Sequence, residues 1–449
     1  MKLLAIPALI LLTLSLQPAR SQAGAPFVAM GDSITEGVQS ADSNLRTQPN
    51  NWATLVARQM GVAFPLPLIR TSPGADIFST TGRTRVFPQV SSPNLGVSGA
   101  TIHDLLYTAA AQPISTETSL VLSPRYGQTQ MSIAQSLNAP LNEIWIGNND
   151  VDGAVLAWTD LDASQMTSIA DFTTDFGQMI RLLKAMHTKV VIGTIPDVTK
   201  IGFVFSPADL KLFTGSDCGL PQGSYTTGPT ALLLKTGAVG CGILKDPSFV
   251  LDPSEIAAIQ LRLKQFNQIM TADATAAGFG VVDVYGLFQQ IEQTPPTFFG
   301  VPVTVRFNGG LLSLDGVHPS DTGHALAANA FIQVANQTYG MNIPLLTQDQ
   351  LNQIAAADPF VDWNGNLIVR GRPLAGLLET LGPSLGISGD FSDAPPTAAG
   401  ARAASSRVNP ALGQAFKQQY LTIKGRPLST QWSEQDAIAA MKDVFSHLQ

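Results

Sequence analysis

A serine at the turn after a strand is a place for nucleophilic chemistry, and the stretch Ala29-Met30-Gly31-Asp32-Ser33-Ile34-Thr35-Glu36-Gly37 has that form. Apolar residues run into a small-residue turn, then Ser33, then a polar segment able to start a helix. The hydroxyl would stand at the C-terminal edge of the strand with main-chain N–H groups nearby. The same residues also suit an ordinary turn. A serine becomes a nucleophile only with a base, an acid to orient the base, and donors aimed at a developing oxyanion.

The sequence holds five histidines. His187 sits at the polar end of a helical pattern and His447 near the end of the sequence, both surface positions. His103 and His324 lie in or beside helical patterns and suit structural roles. His318 differs: it lies in Ser313-Leu314-Asp315-Gly316-Val317-His318-Pro319-Ser320, a loop before a helix. A turn can bring the Asp315 carboxylate to one ring nitrogen while the other faces outward. The carboxylate would fix the tautomer and stabilise the imidazolium formed when His318 takes a proton from Ser33. Asp315 also suits a plain turn cap, with Pro319 opening the helix. Asp32 is the weaker acid candidate because no histidine lies at comparable spacing. For oxyanion donors, Asn94-Leu95-Gly96-Val97-Ser98-Gly99 is a tight turn where Gly99 can present its N–H unshielded. Gly147-Asn148-Asn149-Asp150, at a strand end, can present an amide side chain.

The elements that must position these residues alternate. Residues 26–31, 141–146, 189–195 and 278–284 read as strands. Helical spacing covers residues 51–60, 165–186, 252–277 and 322–339, with short amphipathic pieces at 101–106 and 132–139. Asp252-Pro253-Ser254-Glu255 is a helix-start signal. Apolar strands joined by amphipathic helices give a parallel sheet covered on both faces, with ligands at the C-terminal strand ends. Two long excursions interrupt this order, at about 38–93 and 206–250. Beyond residue 343 comes a C-terminal extension, 344–449, whose stretch 392–414 has a linker-like composition. Leu367-Ile-Val-Arg-Gly-Arg-Pro-Leu374 and Leu421-Thr-Ile-Lys-Gly-Arg-Pro-Leu428 resemble each other and read as a pair of short strands running into turns.

Composition bounds the partners. The net charge is −7 with no basic block, which excludes a phosphate-backbone partner. Met1-Lys2, an apolar run to Leu16 and a small-residue zone near Ala23 and Ala25 read as an export signal over residues 1–25, too short to span a bilayer. This places the chain in a secreted or periplasmic compartment, where its two cysteines, Cys218 and Cys241, suit a disulfide closing a Gly- and Pro-rich loop. Neither cysteine has a metal-ligand neighbour at useful spacing. The apolar run Ala231–Leu234 in that loop is expected to border the site entrance and influence chain-length preference.

Taken in order, Gly-Asp-Ser, the Gly99 turn, Gly-x-Asn-Asp and Asp-x-x-His resemble the SGNH hydrolases, also called GDSL esterases/lipases. The resemblance covers about residues 26–340, within a hydrolase domain expected over 26–343. It implies a flavodoxin-like three-layer α/β/α sandwich. It implies Ser33 as nucleophile, Asp315 and His318 as its partners, and an oxyanion hole from Ser33, Gly99 and Asn149. It further implies a carboxylic ester substrate (lipid, small ester or acetylated sugar), no metal and no other cofactor. Ile34 stands where the family name has Leu, which changes no chemistry. The same site would serve a carbohydrate deacetylase or an acyltransferase, and the same fold could carry a non-catalytic binding module.

Overall fold

The computed structural model describes residues 25–72, 80–157, 161–361 and 410–445. Four strands form its central sheet: β1 (Val28–Gly31), β2 (Leu141–Trp145), β3 (Lys189–Gly193) and β4 (Gly280–Val282). All pairs are parallel, in the order β1-β2-β3-β4, with Met30 beside Ile144 and Ile144 beside Ile192. On the free side of β1 a fifth segment takes a strand's place. The Ala29 N–H donates to Pro93 O at 3.1 Å, Leu95 N–H to Ala29 O at 2.8 Å and Val97 N–H to Gly31 O at 3.1 Å. Counting that segment, the order is the flavodoxin-like one. The strands are short and mostly apolar because both faces are covered, although β2 buries Asn142 and Glu143 in its middle.

One face carries helices Trp52–Met60 and Asp321–Tyr339, and the other carries Gln130–Leu137, Ile169–Ala185 and Pro253–Ala276. Aromatic side chains fill both layers. Trp52 stacks on Phe331 with centroids 4.3 Å apart, and Phe172 stacks on Phe266 at 3.9 Å. The expected helix starts are present. Asn51 caps its helix through Thr54 N, and Asp252 and Glu255 form a capping box. The result is a three-layer α/β/α sandwich, as the strand–helix alternation predicts.

Four expectations need correction. The excursion at 206–250 is more than a loop. It folds into helices Pro207–Thr214 and Gly228–Lys235, and its cysteines form a Cys218–Cys241 disulfide. The run Ala231–Leu234 does not border an entrance. It is buried in a second core with Phe205, Phe213, Phe249, Phe416 and Met441. The covering side chains come from helices Pro410–Ile423 and Glu434–Phe445, so an apolar run that looks exposed in its own segment is closed by the far end of the chain. Leu421–Ile423 is the last turn of a helix, not a strand, and Pro410–Gln414 opens that helix rather than extending a linker. The residues of the first excursion, 38–93, include an antiparallel ribbon, Ile69–Thr71 with Arg83–Arg85. Residues 1–24, the segment 367–374, the stretch 392–409 and His447 lie outside the described residues.

Candidate active site

Ser33 is the first residue of a one-turn helix, Ser33–Glu36, that begins where β1 ends. Asp32 caps that helix: its carboxylate accepts the Ile34 N–H at 3.0 Å and the Asn148 amide at 2.7 Å. Gly31 is required by contact, since a Cβ there would stand 2.2 Å from Trp145 O. Gln130 clamps the same residue, accepting its N–H at 3.0 Å and donating to its carbonyl at 2.9 Å. The strand end is thereby fixed to β2 and to the helix beneath it.

The loop before helix Asp321–Tyr339 brings in the other two groups. His318 Nε2 lies 2.8 Å from Ser33 Oγ, and His318 Nδ1 lies 2.7 Å from Asp315 Oδ2. The Asp315 side chain is 2% exposed and that of His318 is 7% exposed. Asp315 receives further N–H bonds from Val317 and His318 at 2.9 Å each and from Ala41 at 2.6 Å. Burial works to raise its pKa, but the adjacent His318 charge, the His318 bonds and the Val317 N–H outweigh burial and hold it below the usual carboxylate range. Burial likewise works against the imidazolium, and the facing Asp315 charge with its hydrogen bond prevails, so the His318 pKa lies above its ordinary value. Asp32 and Asp152 push in the same direction. With Asp315 on Nδ1, the neutral ring presents Nε2 as the acceptor for the serine proton.

Gly99 has φ +77°, a backbone region that favours glycine. Among the described residues neither the Ser33 nor the Gly99 N–H donates to a main-chain acceptor. Asn149 begins helix Asn149–Leu156 and spends one amide hydrogen on Ala100 O at 3.0 Å, which orients the side chain and leaves the second hydrogen available. Asp150 ties this helix to the Gly99 turn by accepting the Ile102 N–H at 3.0 Å and the Thr167 hydroxyl at 2.9 Å. Beside His318, Pro319, Leu311 and Leu312 help wall a small apolar pocket beneath helix Val284–Gln293.

The sequence-predicted residues therefore fall into two groups. Ser33, His318 and Asp315 form one continuous hydrogen-bonded chain. Gly99 and Asn149 stand on neighbouring turns at the same end of the sheet, joined through Ala100. The remaining described histidines are elsewhere. His103 is exposed and pairs with Asp175 at 3.1 Å, and His187 is at the surface. His324 is buried, where burial first and His318 second push its pKa down to about 3, and its Nδ1 accepts the Trp52 N–H at 3.3 Å. Sequence reasoning missed Asn148, Ala41 and Glu36, whose contacts join residues far apart in the chain. Asp152 was also missed: one turn beyond Asn149 on the same helix face, it is buried near His318 and Asp32, and burial raises its carboxyl to about 8.

The sequence model of the family described as GDSL-like Lipase/Acylhydrolase matches residues 27–331. No curated protein matches the chain. Among solved structures, LAE5, an alpha/beta hydrolase enzyme from the metagenome of Lake Arreo, is 15% identical with a TM-score of 0.35, covering 70% of this chain and 96% of that one. Axe2, an acetylxylan esterase from Geobacillus stearothermophilus, is also 15% identical with a TM-score of 0.35, covering 70% and 94%. At that level of superposition neither carries an argument about activity.

Proposed function

This chain belongs to the GDSL-like lipase/acylhydrolase family, hydrolases of ester bonds, and within it we propose a serine esterase that works through an acyl-enzyme on Ser33. The observation that carries the reading is the chain Ser33 Oγ–His318–Asp315, with links of 2.8 and 2.7 Å. In this mechanism Ser33 Oγ attacks the ester carbonyl as its proton passes to His318 Nε2. Asp315, already ionised and held by main-chain donors, stabilises the imidazolium without taking the proton. The carbonyl oxygen gains charge against the Ser33 and Gly99 N–H groups and the free Asn149 amide hydrogen. Collapse expels the alcohol, protonated by His318. Water then repeats the sequence on the acyl-enzyme, freeing the acid and restoring Ser33.

The substrate class that fits is a carboxylic ester: a lipid, a small ester or an acetylated sugar. An extracytoplasmic location is supported by the N-terminal sequence and by the Cys218–Cys241 disulfide. Among the described residues no helix is long and apolar enough to cross a membrane. The test is hydrolysis of p-nitrophenyl acetate by Ser33→Ala protein. The expected loss is at least about 10³-fold in kcat. A variant as active as the parent would end the reading.

A further inference from the structure

Three residues after Ser33, on the same short helix, the Glu36 carboxylate is completely buried. Its Oε2 accepts both the main-chain N–H and the hydroxyl of Ser98, each at 2.7 Å. Its Oε1 accepts the Ser43 hydroxyl and faces Arg83, whose Nη2 lies 3.9 Å away and donates to Ser43 Oγ at 2.9 Å. Arg83 also pairs with Glu117 at 2.6 Å and stands 3.8 Å from Asp42. Ser98 immediately precedes Gly99. The turn lies flush on the nucleophile's helix, since a Cβ on Gly96 would stand 2.4 Å from Glu36 N.

Chemistry explains why a carboxylate sits there. Two bonds from one residue fix the Ser98 peptide in both direction and distance, and bonds to a charged acceptor are stronger than neutral ones. The Ser98 N–H is consumed by Glu36, which leaves the next N–H, that of Gly99, for another acceptor. A buried carboxylate without a cation would be costly. The cation comes from Arg83, on the ribbon of the first excursion. Burial, and next the Glu36 charge, raise the Glu117 carboxyl, and Arg83 stands among the three carboxyl groups of Glu36, Asp42 and Glu117.

We propose that Glu36 is the positioning residue for the oxyanion-binding turn at Ser98–Gly99, and that the first excursion exists in part to deliver Arg83 as its counter-ion. Glu36 does not touch the substrate and acts through Ser98. The inference rests on the serine-esterase reading with Gly99 as a donor.

The test compares Glu36→Gln with the parent on matched p-nitrophenyl ester and thionoester substrates. Sulfur is a poor hydrogen-bond acceptor, so an oxyanion hole favours the oxygen ester, and a displaced donor narrows that preference. Both Ser98 bonds end on one oxygen, so a glutamine either keeps that oxygen there as a weaker, neutral acceptor with its amide group against Ser43 and Arg83, or turns its amide group to Ser98 and loses both bonds. The expected result is a 10- to 100-fold lower kcat with KM within about twofold. The ester/thionoester ratio should move toward one, as for Asn149→Ala. A folded variant with an unchanged ratio, or one changed only in KM, overturns the proposal. Arg83→Met provides the second arm if Glu36→Gln fails to fold. It should narrow the same ratio, and Ser98→Ala, which keeps the main-chain bond, should narrow it less. An unchanged ratio in folded Arg83→Met also overturns the proposal. The two readings separate cleanly. Activity surviving in Ser33→Ala removes the esterase mechanism, whereas an essential Ser33 with an unmoved Glu36→Gln ratio removes only this inference.

Discussion

Glu143 makes the sharpest stability prediction. It occupies the middle of β2, the strand between β1 and β3, with its side chain completely buried. Neither carboxyl oxygen has a hydrogen-bond partner among the described residues. Burial alone raises its pKa from 4.5 to about 8. Between those values the folded chain keeps a proton that the unfolded chain releases. Stability is therefore greatest below pH 4.5 for this group and falls by about 1.4 kcal/mol per pH unit until the folded carboxyl ionises. By pH 7 the loss amounts to roughly 3 kcal/mol. Glu143→Met removes the titration and the orphan polar atoms while keeping an unbranched side chain. Urea unfolding followed by tryptophan fluorescence at several pH values from 5 to 8 would measure it. The variant should already be the more stable of the two near pH 5, for loss of the unpaired polar atoms, and its advantage should grow steadily above that, by roughly 3 kcal/mol more at pH 7. The difference between variant and parent isolates this group from other titrating acids. Glu143→Gln should flatten the same slope with a smaller absolute gain, since it leaves a polar group unpaired. A difference that stays constant with pH would refute the argument.

The site offers three further outcomes. Asn149→Ala should lower kcat about 10²- to 10³-fold with little change in KM, measured by steady-state ester hydrolysis. The rate should rise with pH through a His318 pKa above its ordinary 6.5, because the neutral ring is the base. Asp152→Asn, by removing a nearby carboxyl, should move that limb of the kcat/KM profile to lower pH. Replacing both Cys218 and Cys241 by Ser should cost the second core up to about 3 kcal/mol, read as faster limited proteolysis, with kcat on p-nitrophenyl acetate kept.

What the sequence discloses depends on how local the physics is. Ser33, Asp315 and His318 are legible because strand, turn and helix-start signals surround them and because three residues of a turn suffice to join carboxylate and imidazole. The four strands are legible from apolar runs, with errors at their ends. Residues 278–284 read as one strand, yet Asp283 caps a helix through Gly286 N at 2.8 Å and Val284 begins it. Contacts made across the fold leave no local trace. Nothing near Glu36 announces Arg83, and nothing near Ala231–Leu234 announces Phe416 and Met441. The segment at Pro93–Val97 takes a strand's place although its proline and glycine argue against one, because the bare edge of β1 supplies the partners.

The support of Asp315 shows how the first excursion enters the chemistry, and it can be tested at one residue. Ser40 and Ala41 have φ of +51° and +63°, two consecutive left-handed positions without glycine. Such residues cost of order 1–3 kcal/mol each and persist only where surrounding bonds hold them. Here Ser40 N donates to Ser313 Oγ at 2.8 Å and Ala41 N donates to Asp315 Oδ2 at 2.6 Å. The strained turn is thus locked to the loop that carries the acid and the base. Ala41→Gly relieves the conformation and keeps the N–H, so kcat should stay within about twofold and stability should change by no more than about 1 kcal/mol. Ala41→Pro removes the donor and cannot adopt that φ. With one fewer bond to its ionised form, Asp315 becomes a weaker acid, and the expected loss is in kcat, with proline well below glycine. Equal activity in the two variants, both folded by circular dichroism, would mean that the Ala41 amide does not support the acid and that its strain serves the loop alone.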